Sequence, residues 1–199
     1  MNFKAHYVSQ AGYLPEHVCN DIINFSTELG AVQAGVGNLN KDGGDVNLDV
    51  RKSKITWLET KWIADWIVPF VSEVNQQVGW NFDLDSAESF QYTTYNEGEY
   101  YGWHQDSHIG DPDERGFKRK LSLTILLNHP EEYEGGEFQL IDTSIAPHEE
   151  YDKRVLTISE LKQKGSVLMF PSYLYHQVTK VTKGTRKSLV CWFSGKDFR

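Results

Sequence analysis

Tyr100-Tyr101-Gly102-Trp103-His104-Gln105 is an aromatic-rich run of strand length. Asn96-Glu97-Gly98 before it is a turn signal, and Asp111-Pro112-Asp113 after it is another. The same alternation fills the chain from residue 88 onward. Ser89–Tyr95 precedes the run; Leu121–Leu127, Glu137–Ile141, Arg154–Ile158, Ser166–Phe170, His176–Val181 and Lys187–Phe193 follow it. Gly135-Gly136, Lys164-Gly165 and Lys183-Gly184 punctuate the later members. About eight short strands at such spacing indicate a sandwich or barrel.

Ahead of these strands the hydrophobic period changes. In Pro15 to Leu29, Val18, Ile22, Phe25 and Leu29 recur at helical spacing, with Pro15 suited to a first turn and Gly30 to the stop. In Thr60 to Val78, Ile63, Trp66, Ile67, Phe70, Val71, Val74 and Val78 form a second apolar stripe, which Pro69 should kink or split. The stripe is complete without a ligand, so its Trp pair is expected to pack in the core. The expected architecture is mainly β, two N-terminal helices (roughly 1–87) supporting a partly open β core (roughly 88–199) as one domain. The Gly-, Asn- and Asp-rich segment 35–54 between the helices is a candidate lid.

Composition narrows the function classes. Apolar residues make up 39% and charged residues 24%, an ordinary soluble balance, and six Trp, ten Tyr and ten Phe favour strands and pocket walls. A net charge of −8 argues against a general nucleic-acid footprint. The one compact basic run, Lys118-Arg119-Lys120, reads as a solvated strand entrance. Cys19 and Cys191 form no cluster, so neither a disulfide framework nor a zinc ribbon is expected. No apolar run follows Lys4 and none reaches the roughly 18 residues of a membrane span, which makes a cytoplasmic, membrane-free protein the expectation.

The chemistry concentrates in Trp103-His104-Gln105-Asp106. Side chains alternate along a strand, so His104 and Asp106 project the same way, a preset pair of metal ligands. A third is sought elsewhere, and His176, just beyond Phe170-Pro171-Ser172, is the best candidate. Two His and one carboxylate on one side of a metal leave positions open for a bidentate 2-oxo acid and dioxygen, whereas a structural zinc site closes its sphere. Ten residues later, after a strand, a turn and a return, Arg186 is expected on a neighbouring strand. There its guanidinium could take a distal carboxylate through two parallel hydrogen bonds. His6, His17, His129 and His148 stand at no ligand spacing, and His108 is read as a loop residue.

These residues carry a family resemblance. The segment from Tyr95 to Asp106 resembles the first metal motif of prolyl 4-hydroxylase-like iron(II)/2-oxoglutarate dioxygenases, and is especially similar to that of PKHD-type hydroxylases of bacteria and phages. Leu121–Asn128, Tyr133–Glu137, Lys164–Ser172, His176, Gly184–Ser188 and Trp192 extend the similarity over roughly residues 88–195. The resemblance implies a double-stranded β-helix, the jelly-roll or cupin-like barrel. It implies that His104, Asp106 and His176 bind Fe(II), and that Arg186 and Tyr95 hold 2-oxoglutarate. Trp192 would line the pocket floor. Dioxygen is the other co-substrate, ascorbate commonly keeps the iron reduced, and succinate and carbon dioxide are released. The implied substrate is a prolyl residue of a peptide or protein, or another amino-acid-type molecule. Leu126 stands where some animal prolyl hydroxylases have a second tyrosine, and Arg186 where collagen-type enzymes favour lysine; both weaken the assignment to proline.

Rival readings make separate demands. A nucleic-acid demethylase of the same barrel class carries a second Arg six residues after the first, where this chain has Trp192. Halogenases lack the metal carboxylate, present here as Asp106. A non-catalytic barrel would usually have lost a ligand, and a zinc hydrolase would leave Arg186 without a task. The loops 35–54 and 107–117 are expected to form the entrance, with Arg51, Lys52 and Arg115 as polar contacts.

Overall fold

In the computed structural model, residues 5–34, 47–107 and 116–197 are described. The N-terminal part contributes β1 (Val8–Gln10), α1 (Glu16–Leu29), β2 (Val32–Gln33), β3 (Arg51–Lys52), β4 (Lys54–Leu58) and α2 (Lys61–Gln77). Then come β5 (Ser86–Ala87), β6 (Phe90–Asn96), β7 (Tyr100–His104), β8 (Phe117–Leu126), β9 (Tyr133–Gly135) and β10 (Phe138–Ile141). The chain closes with α3 (Tyr151–Arg154), β11 (Val155–Thr157), β12 (Val167–Pro171), β13 (His176–Val178) and β14 (Val181–Lys196). Every one of the eight expected strands is present, within a residue or two at most ends, although β8 and β14 run several residues longer.

Two antiparallel sheets face each other. The larger has the order β1-β12-β8-β14-β6-β4-β2, with β5 and β9 also paired to β14; the smaller has the order β11-β10-β13-β7-β3. This is the expected double-stranded β-helix. Its long strand β14 organises the core because its residues alternate in chemistry. Leu189, Cys191 and Phe193 face outward into a cluster with Val18 and Ile22 of α1 and with Ile63, Ile67 and Phe70 of α2. A second cluster, with Tyr95, Leu126, Leu140, Phe170 and Val178, fills one end of the space between the sheets.

The helices depart from expectation in three places. Helix α2 continues through Pro69, whose ring faces solvent. Trp62 and Trp66 are not core residues: they are 36% and 39% exposed, because the buried stripe runs through Ile63, Ile67, Phe70, Val71 and Val74 instead. In α1, Leu29 is also exposed, so that helix buries only its first two turns and Ser26. Cys19 and Cys191 are both buried and unpaired. Among the described residues no helix is long and apolar enough to cross a membrane.

Candidate metal and co-substrate site

Strand register brings the three predicted ligands together. His176 of β13 pairs directly with His104 of β7, and their ring centroids lie 4.0 Å apart. Asp106 follows β7 by two residues, anchored by its backbone N–H donating to the Ser172 carbonyl at 3.0 Å. An Asp106 oxygen lies 3.7 Å from His104 Nε2 and the other lies 3.4 Å from His176 Nε2. The three donor atoms all fall within 4.8 Å of one another. Metal bonds of about 2.1 Å at right angles place adjacent donors about 3 Å apart, so this set fits one ion with little adjustment.

The surroundings set the chemical state of each ligand. His104 Nδ1 lies 2.8 Å from the Gly102 carbonyl, and His176 Nδ1 lies 3.0 Å from the Leu174 carbonyl. A carbonyl only accepts, so each Nδ1 carries a proton and each Nε2 is the nitrogen turned toward Asp106 and the shared space. Burial, then the neighbouring His176, holds the His104 imidazolium pKa down to about 3. Burial works to raise the Asp106 carboxyl, but His176, His104, Arg119 and the Ser122 hydroxyl outweigh it and bring Asp106 to about 2. The Ser122 hydroxyl donates to Asp106 at 2.7 Å and lies 2.9 Å from the Ser172 hydroxyl. His104 is therefore a neutral imidazole and Asp106 an ionised carboxylate, and neither has a proton to expel before it meets a cation.

At the other end of the same cavity stands Arg186, 2% exposed. Its Nη1 donates to Ser188 Oγ at 3.0 Å, and its guanidinium carbon lies 5.7 Å from the ring of Tyr95, its direct cross-strand partner on β6. Gly136 makes room for it: a Cβ there, at φ +63°, would come within 2.9 Å of Arg186 Cδ. The expectation of a neighbouring strand needs correction. Arg186 lies on β14 of the larger sheet, whereas His176 lies on β13 of the smaller, so the two face each other across the slot. A buried guanidinium whose hydrogen bonding among the described residues is to one hydroxyl is the group a carboxylate would satisfy.

The mouth of the slot was not foreseen. Lys118-Arg119-Lys120 is not a solvated entrance. Lys118 and Lys120 are buried, and Arg119 makes two hydrogen bonds to Glu88, at 2.8 and 2.6 Å, while lying 3.9 Å over the Trp192 ring. A β-bulge between Phe193 and Ser194, opposite this run, locally changes the register with β8. Trp192 lines the cavity as expected. Of the entrance residues, Arg51 is buried in the cavity wall and Lys52 is exposed, whereas Arg115, His108 and most of the candidate lid lie outside the described residues. His6, His17, His129 and His148 lie at the surface, away from the triad. Ser122 and Thr124 had a readable signal, two polar residues of one parity in the otherwise apolar run Leu121–Leu127.

Comparison with known proteins agrees with this geometry. A family model described as the 2OG-Fe(II) oxygenase superfamily matches residues 90–194. A PKHD-type hydroxylase of Shewanella sp. (strain ANA-3) is 33% identical over 101 residues, covering 51% of this chain and 40% of that protein. A PKHD-type hydroxylase of Psychrobacter sp. (strain PRwf-1) is 35% identical over 103 residues, covering 51% and 36%. The matched segment thus spans about two fifths of the length of these curated relatives. Among solved structures, the viral collagen prolyl hydroxylase of Paramecium Bursaria Chlorella virus-1, in its 2OG complex, superposes with a TM-score of 0.68 at 20% identity, covering 96% of this chain and 97% of that one. A Pseudomonas putida prolyl-4-hydroxylase gives 0.69 at 16% identity, covering 96% and 94%. At those identities the likeness is one of fold.

Proposed function

We propose, because the chain belongs to the 2OG-Fe(II) oxygenase superfamily, that it hydroxylates a prolyl residue or another amino-acid-type substrate at the expense of 2-oxoglutarate and dioxygen. The observation that carries this reading is the sharing of one cavity by the His104–Asp106–His176 cluster and the buried Arg186. His104, Asp106 and His176 would hold Fe(II), with ascorbate as a candidate reductant to keep it ferrous. Bound there with its co-substrates, the iron supplies oxidative decarboxylation of the 2-oxo acid and oxidation of an unactivated C–H bond, with release of succinate and carbon dioxide.

The protein's own part is positional. Gly102 and Leu174 carbonyls hold both imidazoles in the tautomer that presents Nε2, and Ser122 steadies the carboxylate. Arg186 would receive the distal carboxylate of 2-oxoglutarate, with Ser188 and the cross-strand Tyr95 beside it. Tyr101, stacked on His104 at 3.5 Å, and Trp192 wall the substrate side and exclude water from the reacting carbon. An amino-acid substrate is supported by the likeness of fold to proteins described as prolyl hydroxylases and by the flat aromatic walls, which suit a small ring such as that of proline.

The test is turnover of 2-oxoglutarate by purified protein. Succinate should appear only with both Fe(II) and 2-oxoglutarate present, and His176→Ala should lose bound iron and succinate formation together. Oxygen-independent turnover supported equally by zinc would remove the reading.

A further inference from the structure

The substrate side of the slot contains a corner of hydrogen-bond donors that the iron and 2-oxoglutarate chemistry leaves unused. Gln91 of β6 is 3% exposed, stands directly opposite Val190 of β14 and lines the cavity that holds the metal cluster. Its carbonyl end is engaged twice: Arg51 Nη2 donates to Oε1 at 2.8 Å, and Thr93 Oγ1 lies 3.3 Å from the same atom. An amide whose oxygen is held by donors has its orientation fixed, so its NH2 is the end left to donate. Among the described residues no acceptor meets that NH2. Two residues beyond Val190 on the same face, the Trp192 indole Nε1 is also buried without an acceptor. Arg51 is secured by Nε donating to Ser53 Oγ at 2.9 Å and lies 4.5 Å over the ring of Tyr101, which stacks on the metal ligand His104. The corner is thus one aromatic ring away from the reacting centre. Arg186 is four residues from Val190 along β14, about 13 Å at the backbone, so this is not the anchor for the distal carboxylate.

We propose that this corner binds an sp2 oxygen of the substrate's amino-acid unit, its carbonyl or carboxylate. Gln91 is the specificity-determining donor and Arg51 a positioning residue that acts through it. The inference rests on the oxygenase reading above and adds the side of the substrate that faces away from the iron. A buried donor left without its acceptor is costly, so a substrate lacking that oxygen is rejected.

The test uses Gln91→Glu, which still accepts from Arg51 but has no donor, and Gln91→Met as a neutral second variant, each checked by thermal melting. The probes are free L-proline and a blocked Ala-Pro-Ala peptide. Expected is a rise of about tenfold in KM for the probe that is hydroxylated, with more succinate formed per hydroxylated product and the KM for 2-oxoglutarate unchanged. Preference for free proline assigns the oxygen to a carboxylate; preference for the blocked peptide assigns it to an amide carbonyl. Arg51→Met should raise the probe KM in the wild type and add nothing in the Gln91→Glu background. An unchanged probe KM in both Gln91 variants, a rise confined to 2-oxoglutarate, or a wild type that makes succinate but hydroxylates neither probe overturns the inference. A wild type that makes no succinate at all instead removes the oxygenase reading beneath it.

Discussion

The outer face of β14 presents Leu189, Cys191 and Phe193 to the two helices, while its inner face presents Arg186, Ser188, Val190 and Trp192 to the slot. One backbone therefore serves two environments, separated only by the alternation of its side chains. Outside, burial is apolar and complete, and even the Cys191 thiol is pushed up by burial and behaves as a small hydrophobe. Inside, a guanidinium, a hydroxyl and an indole N–H are buried with few partners, an arrangement that costs stability unless a ligand completes it. The comparison teaches that stability and chemistry are divided by face, with the helices supplying the core and the slot drawing on it.

Substitution at Arg186 should break that division most visibly. Arg186→Met is expected to raise the KM for 2-oxoglutarate by about two to three orders of magnitude, because a buried charge pair is lost from the co-substrate complex. The melting temperature of the ligand-free protein should hold or rise, since an underpartnered buried cation is removed. Steady-state kinetics and a thermal melt together decide it; a large fall in stability with an unchanged KM would make the inner face structural. Leu189→Ala is the converse. It should cost about 3 kcal/mol in urea unfolding through the cavity it leaves, with little change in the 2-oxoglutarate KM.

The division was partly legible beforehand. The eight strands after residue 88 could be read because glycine-rich turns bound them and their residues alternate. The two- to five-residue strands β2 to β5 could not, since pairing to β4, β6, β7 and β14 rather than local pattern makes them strands. The triad was readable from the parity of His104 and Asp106, and Arg186 from its interval to His176. The Glu88–Arg119–Trp192 stack and the Arg51–Gln91 pair were hidden for the same reason: their members are 31 and 40 residues apart between acid or amide and arginine, and only sheet closure joins them. Trp62 and Trp66 lie on the arc of α2 turned away from the buried stripe, and hydrophobicity alone does not reveal which arc meets the core.

The smallest effect expected concerns pH, and it tests whether the His104 imidazole on the facing sheet is held neutral at a cost. His104 is depressed from an ordinary 6.5 to about 3 in the folded protein, first by burial and then by His176. Between those values the unfolded chain binds a proton that the folded chain refuses, so stability is full above 6.5 and declines as pH falls toward 3. From pH 7 to pH 5 this linkage removes about 2 kcal/mol. Asp106, depressed from 3.8 to about 2, is ionised in both states over that interval and contributes no slope there. Metal-free protein should therefore lose stability in urea between pH 7 and pH 5, and His104→Gln, which has no titrating ring, should flatten the dependence by that amount. An equal slope in the variant would show that the imidazole takes up its proton as readily folded as unfolded, which would place solvent, rather than a dry ligand pocket, around His104.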